Sequence, residues 1–268
     1  NNVNSRLDMV VAVVEDGTFK IDKYVGNTVD YAKVDGHYYS DKAPGVALLA
    51  IPVYAALDVV LDLPITAGLT DRLANSSAFR STLRESGSGV NALKVRFALA
   101  QVVLSLVFGA LPTAALCVLI YRMLLVFGAS RRVSVAVSLI YGLCTPAFAY
   151  ANTFYGHQLS AFLSFAAFAL VLGWRAPGAR PISAPAAALV GLLLGYNVLT
   201  EYPAVLISGV IYVYAAYVCW RARRWSGIAL ITVAAALCAA GLMTYNTVVF
   251  GGPLKLGYAS SELWTAQH

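Results

Sequence analysis

Six long apolar runs fill the chain beyond residue 96, and each is close to the roughly 20 residues a helix needs to cross a bilayer. They cover residues 97–121, 133–150, 157–174, 183–199, 203–220 and 227–249. A hydrophobic share of 59% against only 12% charged residues is far outside the range of a soluble domain. The pattern predicts an all-α, polytopic transmembrane helix bundle. The positive formal charge of +6 does not point to nucleic acid. Its arginines cluster in short connectors: Arg122, Arg131 and Arg132, then Arg175 and Arg180, then Arg221, Arg223 and Arg224. That spacing fits the positive-inside rule, with these loops cytoplasmic and the alternate connections, 151–156, 200–202 and everything after Phe250, on the opposite side. Cys117, Cys144, Cys219 and Cys238 lie inside apolar runs without metal-site or redox spacing, and are expected as small buried hydrophobes.

Three parts are predicted: an extracytoplasmic loop with interfacial or re-entrant helices over 1–96, the bundle over 97–250, and the start of another extracytoplasmic segment over 251–268. The polar opening and the abrupt end are expected of a piece lacking an N-terminal span and a C-terminal portion. Within the first part, Ser5 with Asp8 three residues later resembles a capping box, and Gly17 supplies a stop, so residues 5–17 are predicted as a helix too short to span. Leu7, Val10, Val11 and Val14 share one face. Arg6, Asp8 and Glu15 are expected at water or a cleft. Residues 18–34 are predicted as an ordered loop, and 66–96, with Asp71, Arg72, Arg80, Arg84 and Glu85, as a polar loop with a short helix.

Residues 44–63 are apolar but carry Pro52, Asp58 and Asp62. A full span would place residues 35–45 on the cytoplasmic face, away from the other polar connectors, so a re-entrant or interfacial hairpin is preferred.

Residues 35–45 concentrate Asp35, His37, Tyr38, Tyr39, Asp41 and Lys42 before a Pro44-Gly45 breaker. A simple membrane anchor needs none of these groups, and the stretch is predicted to form the mouth of a site. Three other patches fall on the same predicted face. His157 and Gln158 open a span, Glu201 and Tyr202 stand between two spans separated by almost nothing, and Tyr245, Asn246 and Lys255 bracket the exit from the last run. A carboxylate in such a place costs up to a few kcal/mol if it faces lipid, so Glu201 is expected to face water, a cation or a substrate. Phosphate-binding Walker loops, dinucleotide fingerprints, nucleophile elbows and zincin helices are missing.

Ser5-Arg6-Leu7, Glu15-Asp16-Gly17 and Tyr38-Tyr39-Ser40-Asp41-Lys42-Ala43-Pro44 follow one another in an order that resembles the first extracytoplasmic loop of GT-C glycosyltransferases of the protein O-mannosyltransferase and aminoarabinose-transferase type. The segment from Gly191 through Tyr196-Asn197-Val198-Leu199-Thr200-Glu201-Tyr202-Pro203 is similar to a later motif of that family. The resemblance implies a polyprenyl-phosphate-linked sugar donor, met in the membrane lipid, and inverting transfer to an acceptor hydroxyl on the extracytoplasmic face. It places Lys42, with Arg6 and Lys255, at the donor phosphate. The position of the family's catalytic aspartate falls on Val3 or Asn4, so Asp8, Asp35, Asp41 and Glu201 are the candidate catalytic carboxylates. His37, Tyr38, Tyr39, His157 and Tyr202 are expected to line the cavity. Asp and Glu oxygens would admit Mg²⁺ or Mn²⁺, although an activated donor does not require a metal. The competing classes are a transporter or flippase of lipid-linked or small anionic substrates, for which no inverted repeat is visible, and an assembly or sensor protein.

Overall fold

The structure, a computed structural model, describes residues 1–77, 91–175 and 181–261. Arg80, Arg84, Glu85 and Arg180 therefore lie outside the described residues, as do those after Ser261.

The first helix, α1, spans Asn2–Asp16 and ends on Gly17 in the left-handed conformation with φ 65°. It starts three residues before the expected cap. Ser5 is buried inside the helix, and its hydroxyl meets that of Ser40 at 2.9 Å instead of capping. Val3, Leu7, Val10 and Val11 pack inward, and so do Arg6 and Asp8, at 1% and 0% exposure. The expected wet face is therefore sealed at these two positions, while Glu15 remains exposed.

The expected loop contains structure of its own. β1 (Tyr31–Val34) and β2 (His37–Ser40) form an antiparallel hairpin with Tyr31 opposite Ser40 and Val34 opposite His37. Asp35 and Gly36 make the two-residue connection at φ 50° and 80°. Positive φ at both positions matches the strand twist, and Asp-Gly is a strong short signal for it. The all-α expectation is corrected to this extent: the described residues are mostly helical, with one small two-stranded sheet among them.

α2 (Gly45–Leu61) keeps Pro52 inside it and is followed by α3 (Pro64–Ala74), turned by 89°. The two reach the length and apolarity of a span only as a bent pair, which describes a broken span or a re-entrant loop. Both ends of α2 are tied to polar surroundings. Tyr196 donates from its hydroxyl to the Gly45 carbonyl at 2.7 Å, and Arg96 pairs with Asp58 and Asp62 at the far end.

The remaining α-helices among the described residues are α4 (Asn91–Ser105), α5 (Leu111–Val126), α6 (Arg131–Cys144), α7 (Pro146–Ala151), α8 (His157–Gly173), α9 (Ala184–Thr200), α10 (Ala204–Arg221) and α11 (Trp225–Phe250). A π-turn at Leu106–Ala110 joins α4 to α5 as one continuous rod. Three helices among the described residues are long and apolar enough to cross a membrane: Lys94–Val126, Ala204–Arg221 and Trp225–Phe250. They mark the chain as a membrane protein. α8 and α9 are apolar but only 17 residues each, about 26 Å of helix at 1.5 Å per residue. The run expected over 133–150 is two helices, because Thr145 is extended, caps the Ala147 amide and hands over to Pro146 at the first turn of α7. Of the four cysteines, Cys219 is buried as expected, whereas Cys144 is exposed and Cys117 and Cys238 are half-buried.

One core joins α1, the hairpin, α2 and parts of α4, α8 and α11. A second joins α8, α9, α10 and α11. Leu193 of α9 packs against both, and α8 and α11 each contribute residues to both.

Candidate functional site

Arg6 is the organising group. Its position on α1 points the guanidinium at the end of α9, where three acceptors take its donors. Nη1 donates to the Ala43 carbonyl at 2.9 Å, Nη2 to Glu201 Oε1 at 2.9 Å, and Nε to Asn2 Oδ1 at 3.1 Å. A planar fork of donors suits such fixed, divided recognition better than an ammonium would. Glu201 is the residue at which α9 stops. Its extended backbone leaves the helix, and its side chain is 13% exposed.

His157 comes to the same carboxylate from the start of α8. Its Nδ1 lies 3.5 Å from Glu201 Oε1. The approach depends on Gly156, where a Cβ would collide with Glu201 Oε1 and lie 2.9 Å from the Thr200 carbonyl oxygen. The imidazole stacks on Tyr155 with centroids 5.4 Å apart and meets the Tyr150 ring edge-on at 4.7 Å.

Beside this group stands a second. Lys42 Nζ lies 3.2 Å from Asp41 Oδ1 and 3.5 Å from Asp30 Oδ2, and 5.6 Å from the Tyr258 ring centroid. Asp41 is fully buried and Lys42 is 6% exposed. Burial pushes the Asp41 carboxyl up, and the Lys42 ammonium opposes that rise. The turn Gly257–Ser260 closes over Asp41: a Cβ on Gly257 would lie 2.7 Å from the Asp41 Cα and carbonyl oxygen. Tyr202 packs edge-on against Tyr258 at 5.7 Å, its hydroxyl buried without a partner, and burial pushes its phenol up, followed by the field of Tyr258. Arg6, Asp41 and Glu201 all act electrostatically on Tyr202, so the two groups form one polar cluster.

The structure thus brings together Arg6, Asp41, Lys42, His157, Glu201 and Tyr202. It places the other expected residues differently. Asp35 is exposed at the hairpin tip. His37 Nδ1 pairs with Asp22 Oδ2 at 2.7 Å, and Asp22 also accepts from the Tyr38 amide. Tyr38 packs on Tyr31 with Lys33 over its ring, and Tyr39 lies against Phe250. Asp8, sealed in α1, accepts from Asn27 at 3.3 Å, and burial pushes its carboxyl up to about 7 against that hydrogen bond. Lys255 is exposed on the turn after α11. Asp30 was not anticipated, yet a signal for it exists: with Asp35-Gly36 as a two-residue turn, register alone leaves residues 30 and 41 at the same end of the hairpin.

An apolar groove of about 650 Å³ runs between α9, α10 and α11. Val198 and Leu199 line it immediately before Thr200 and Glu201, and Leu254 and Leu256 line it on either side of Lys255, just before Gly257 and Tyr258. By chain connectivity its end adjoins the polar cluster.

Among the described residues no group of three or more His, Cys, Asp or Glu side chains is arranged to hold a metal ion. Asp30 and Asp41, the paired acids of the cluster, share the Lys42 ammonium. Comparison with protein-family models, curated proteins and solved structures finds no match to this chain.

Proposed function

We propose that the protein is a membrane glycosyltransferase that moves a sugar from a polyprenyl-phosphate donor to an acceptor hydroxyl on the extracytoplasmic face, with all six apolar runs crossing the bilayer. The observation that carries this reading is an apolar groove whose lining residues Leu199 and Leu256 stand within two residues, along the chain, of the sealed, charged cluster and the turn that closes over it. An amphipathic donor needs both: apolar walls for its chain and fixed charge for its headgroup. A pure anchor needs neither.

The arrangement divides the labour among the cations. Arg6, at 1% exposure with all three bonds committed, holds Glu201 and the Ala43 carbonyl. Lys255 is exposed, stands in the chain between the groove-lining Leu254 and Leu256, and is the cation this reading assigns to the lipid phosphate. Lys42 adds positive charge from within, reaching a phosphate by exchanging Asp30. Stabilising the departing phosphate by such preset charges is the larger part of catalysis for an already activated donor.

The test uses full-length protein in nanodiscs with labelled polyprenyl-phosphate sugars. Wild type is expected to transfer label to an acceptor, and Lys255→Ala and Lys42→Ala are expected to weaken donor binding. Absence of transfer together with unweakened binding in both variants would sink the reading. Movement of intact lipid-linked sugar across proteoliposomes, without consumption, would establish the flippase reading instead.

A further inference from the structure

We infer that His157 is the proton acceptor of this site, with Glu201 and Arg6 as its positioning residues. The inference rests on the glycosyl-transfer reading above and supplies the base for it. The acids gathered at the cluster are poorly presented. Asp41 is sealed and committed to Lys42, Asp30 also faces Lys42, and Glu201 is largely covered and bonded to Arg6. His157 differs in being both fixed and accessible. Two tyrosine rings set its plane, Glu201 faces its Nδ1, and 41% of its side chain remains exposed.

The two ring nitrogens lie on different edges of the imidazole. Turning Nδ1 toward a carboxylate therefore selects the tautomer with its proton on Nδ1 and leaves Nε2 with a lone pair turned away from Glu201. No side chain among the described residues hydrogen-bonds that Nε2. The 3.5 Å separation is long for a hydrogen bond, as is common before substrate closes such a site. Arg6 matters because it prevents Glu201 from swinging out to water: its fork ties the carboxylate to the Ala43 carbonyl and to Asn2 on α1. Gly156 matters because any side chain there would push the carboxylate away.

In the step itself, Nε2 takes the proton of the acceptor hydroxyl as that oxygen's electron pair bonds to the anomeric carbon. The bond from that carbon to the phosphate oxygen breaks, and its electron pair leaves with the polyprenyl phosphate. The resulting imidazolium is stabilised by Glu201 and afterwards releases its proton to water.

The groups facing His157 are Glu201 from the end of α9, Arg6 from α1 through Glu201, Tyr150 from α7 and Tyr155 from its own connector. His157→Gln is expected to lower kcat by roughly 10²- to 10⁴-fold, with donor KM nearly unchanged, and to flatten the acid limb of the pH–rate profile. Arg6→Lys and Glu201→Gln are expected to lower kcat by less and to shift that limb. A second readout needs no activity: nitrogen NMR of histidine-labelled wild type, with His157 identified by its absence in His157→Gln, is expected to show the proton on Nδ1. A proton on Nε2, or a His157→Gln enzyme with wild-type kcat and pH profile, overturns the inference. A wild type that moves no sugar counts against the donor reading, and the tautomer still decides the arrangement of the histidine.

Discussion

The cluster at Glu201 and the hairpin at residues 31–40 draw on the same residue types with opposite results. Arg6 and Glu201 pair at 2.9 Å with exposures of 1% and 13%, while His37 and Asp22 pair at 2.7 Å with 43% and 42%. Distance alone would rank the second pair higher. Burial reverses the order, because water screens the exposed pair and cannot replace either partner of the buried one. A close acid–histidine pair on a short polar loop is thus no guide to a site until its cover is known, and here the cover comes from α1, the end of α9 and the turn after α11.

The sharpest way to break this contrast is Arg6→Ala. It leaves Glu201 without its cation, and the expected loss is roughly 3–5 kcal/mol of stability, read as a lowered unfolding midpoint in detergent. A loss below about 1 kcal/mol would mean that the pair behaves as a surface pair.

Asp8 offers the next largest effect. Its raised carboxyl means that the folded chain holds a proton which the unfolded chain releases above about pH 4. That contribution is complete below this pH, declines as pH rises, and is lost on passing through about 7. The whole span corresponds to about 4 kcal/mol. Asp8→Asn is expected to match wild type near pH 4 and to exceed it in unfolding midpoint at pH 8. Parallel curves for the two proteins across this range would show that Asp8 is not sealed.

Gly156→Ala is expected to cost about 1–3 kcal/mol, since the added methyl meets Glu201 and the Thr200 backbone. His37→Ala should change stability by less than about 1 kcal/mol, at the level of an exposed pair. If His37→Ala proved as damaging as Arg6→Ala, the distinction between the two regions would fail.

Much of the helical framework was legible from hydropathy. The runs near 97–121, 203–220 and 227–249 correspond to the three long apolar helices. The run over 133–150 reads as one span by hydropathy, and only the structure divides it at Thr145-Pro146 into two helices. The hairpin was missed although Asp35-Gly36 announces it, because its flanking strands are only four residues each and alternate weakly. Of the cluster, Asp41, Lys42, His157, Glu201 and Tyr202 could be named from their polar character beside apolar runs, and Arg6 through the family resemblance. Their partners could not, because Arg6 and Glu201 lie 195 residues apart and no local period links them.

Composition and hydropathy by themselves determined that this chain lives in lipid, since its backbone has too little polar cover for water and its apolar runs match helix lengths. The Asp-Gly turn also sets the strand register, which ends with Tyr31 opposite Ser40 and so leaves Asp30 and Asp41 at the same end of the hairpin. Only the tertiary structure decided which charges are sealed. That outcome depends on how Arg6 of α1 reaches Glu201 at the end of α9, how Gly156 and Gly257 let backbones and carboxylates approach, and how the segment after α11 folds back over Asp41, all of them long-range contacts whose energies are set by exclusion of water rather than by neighbours in sequence.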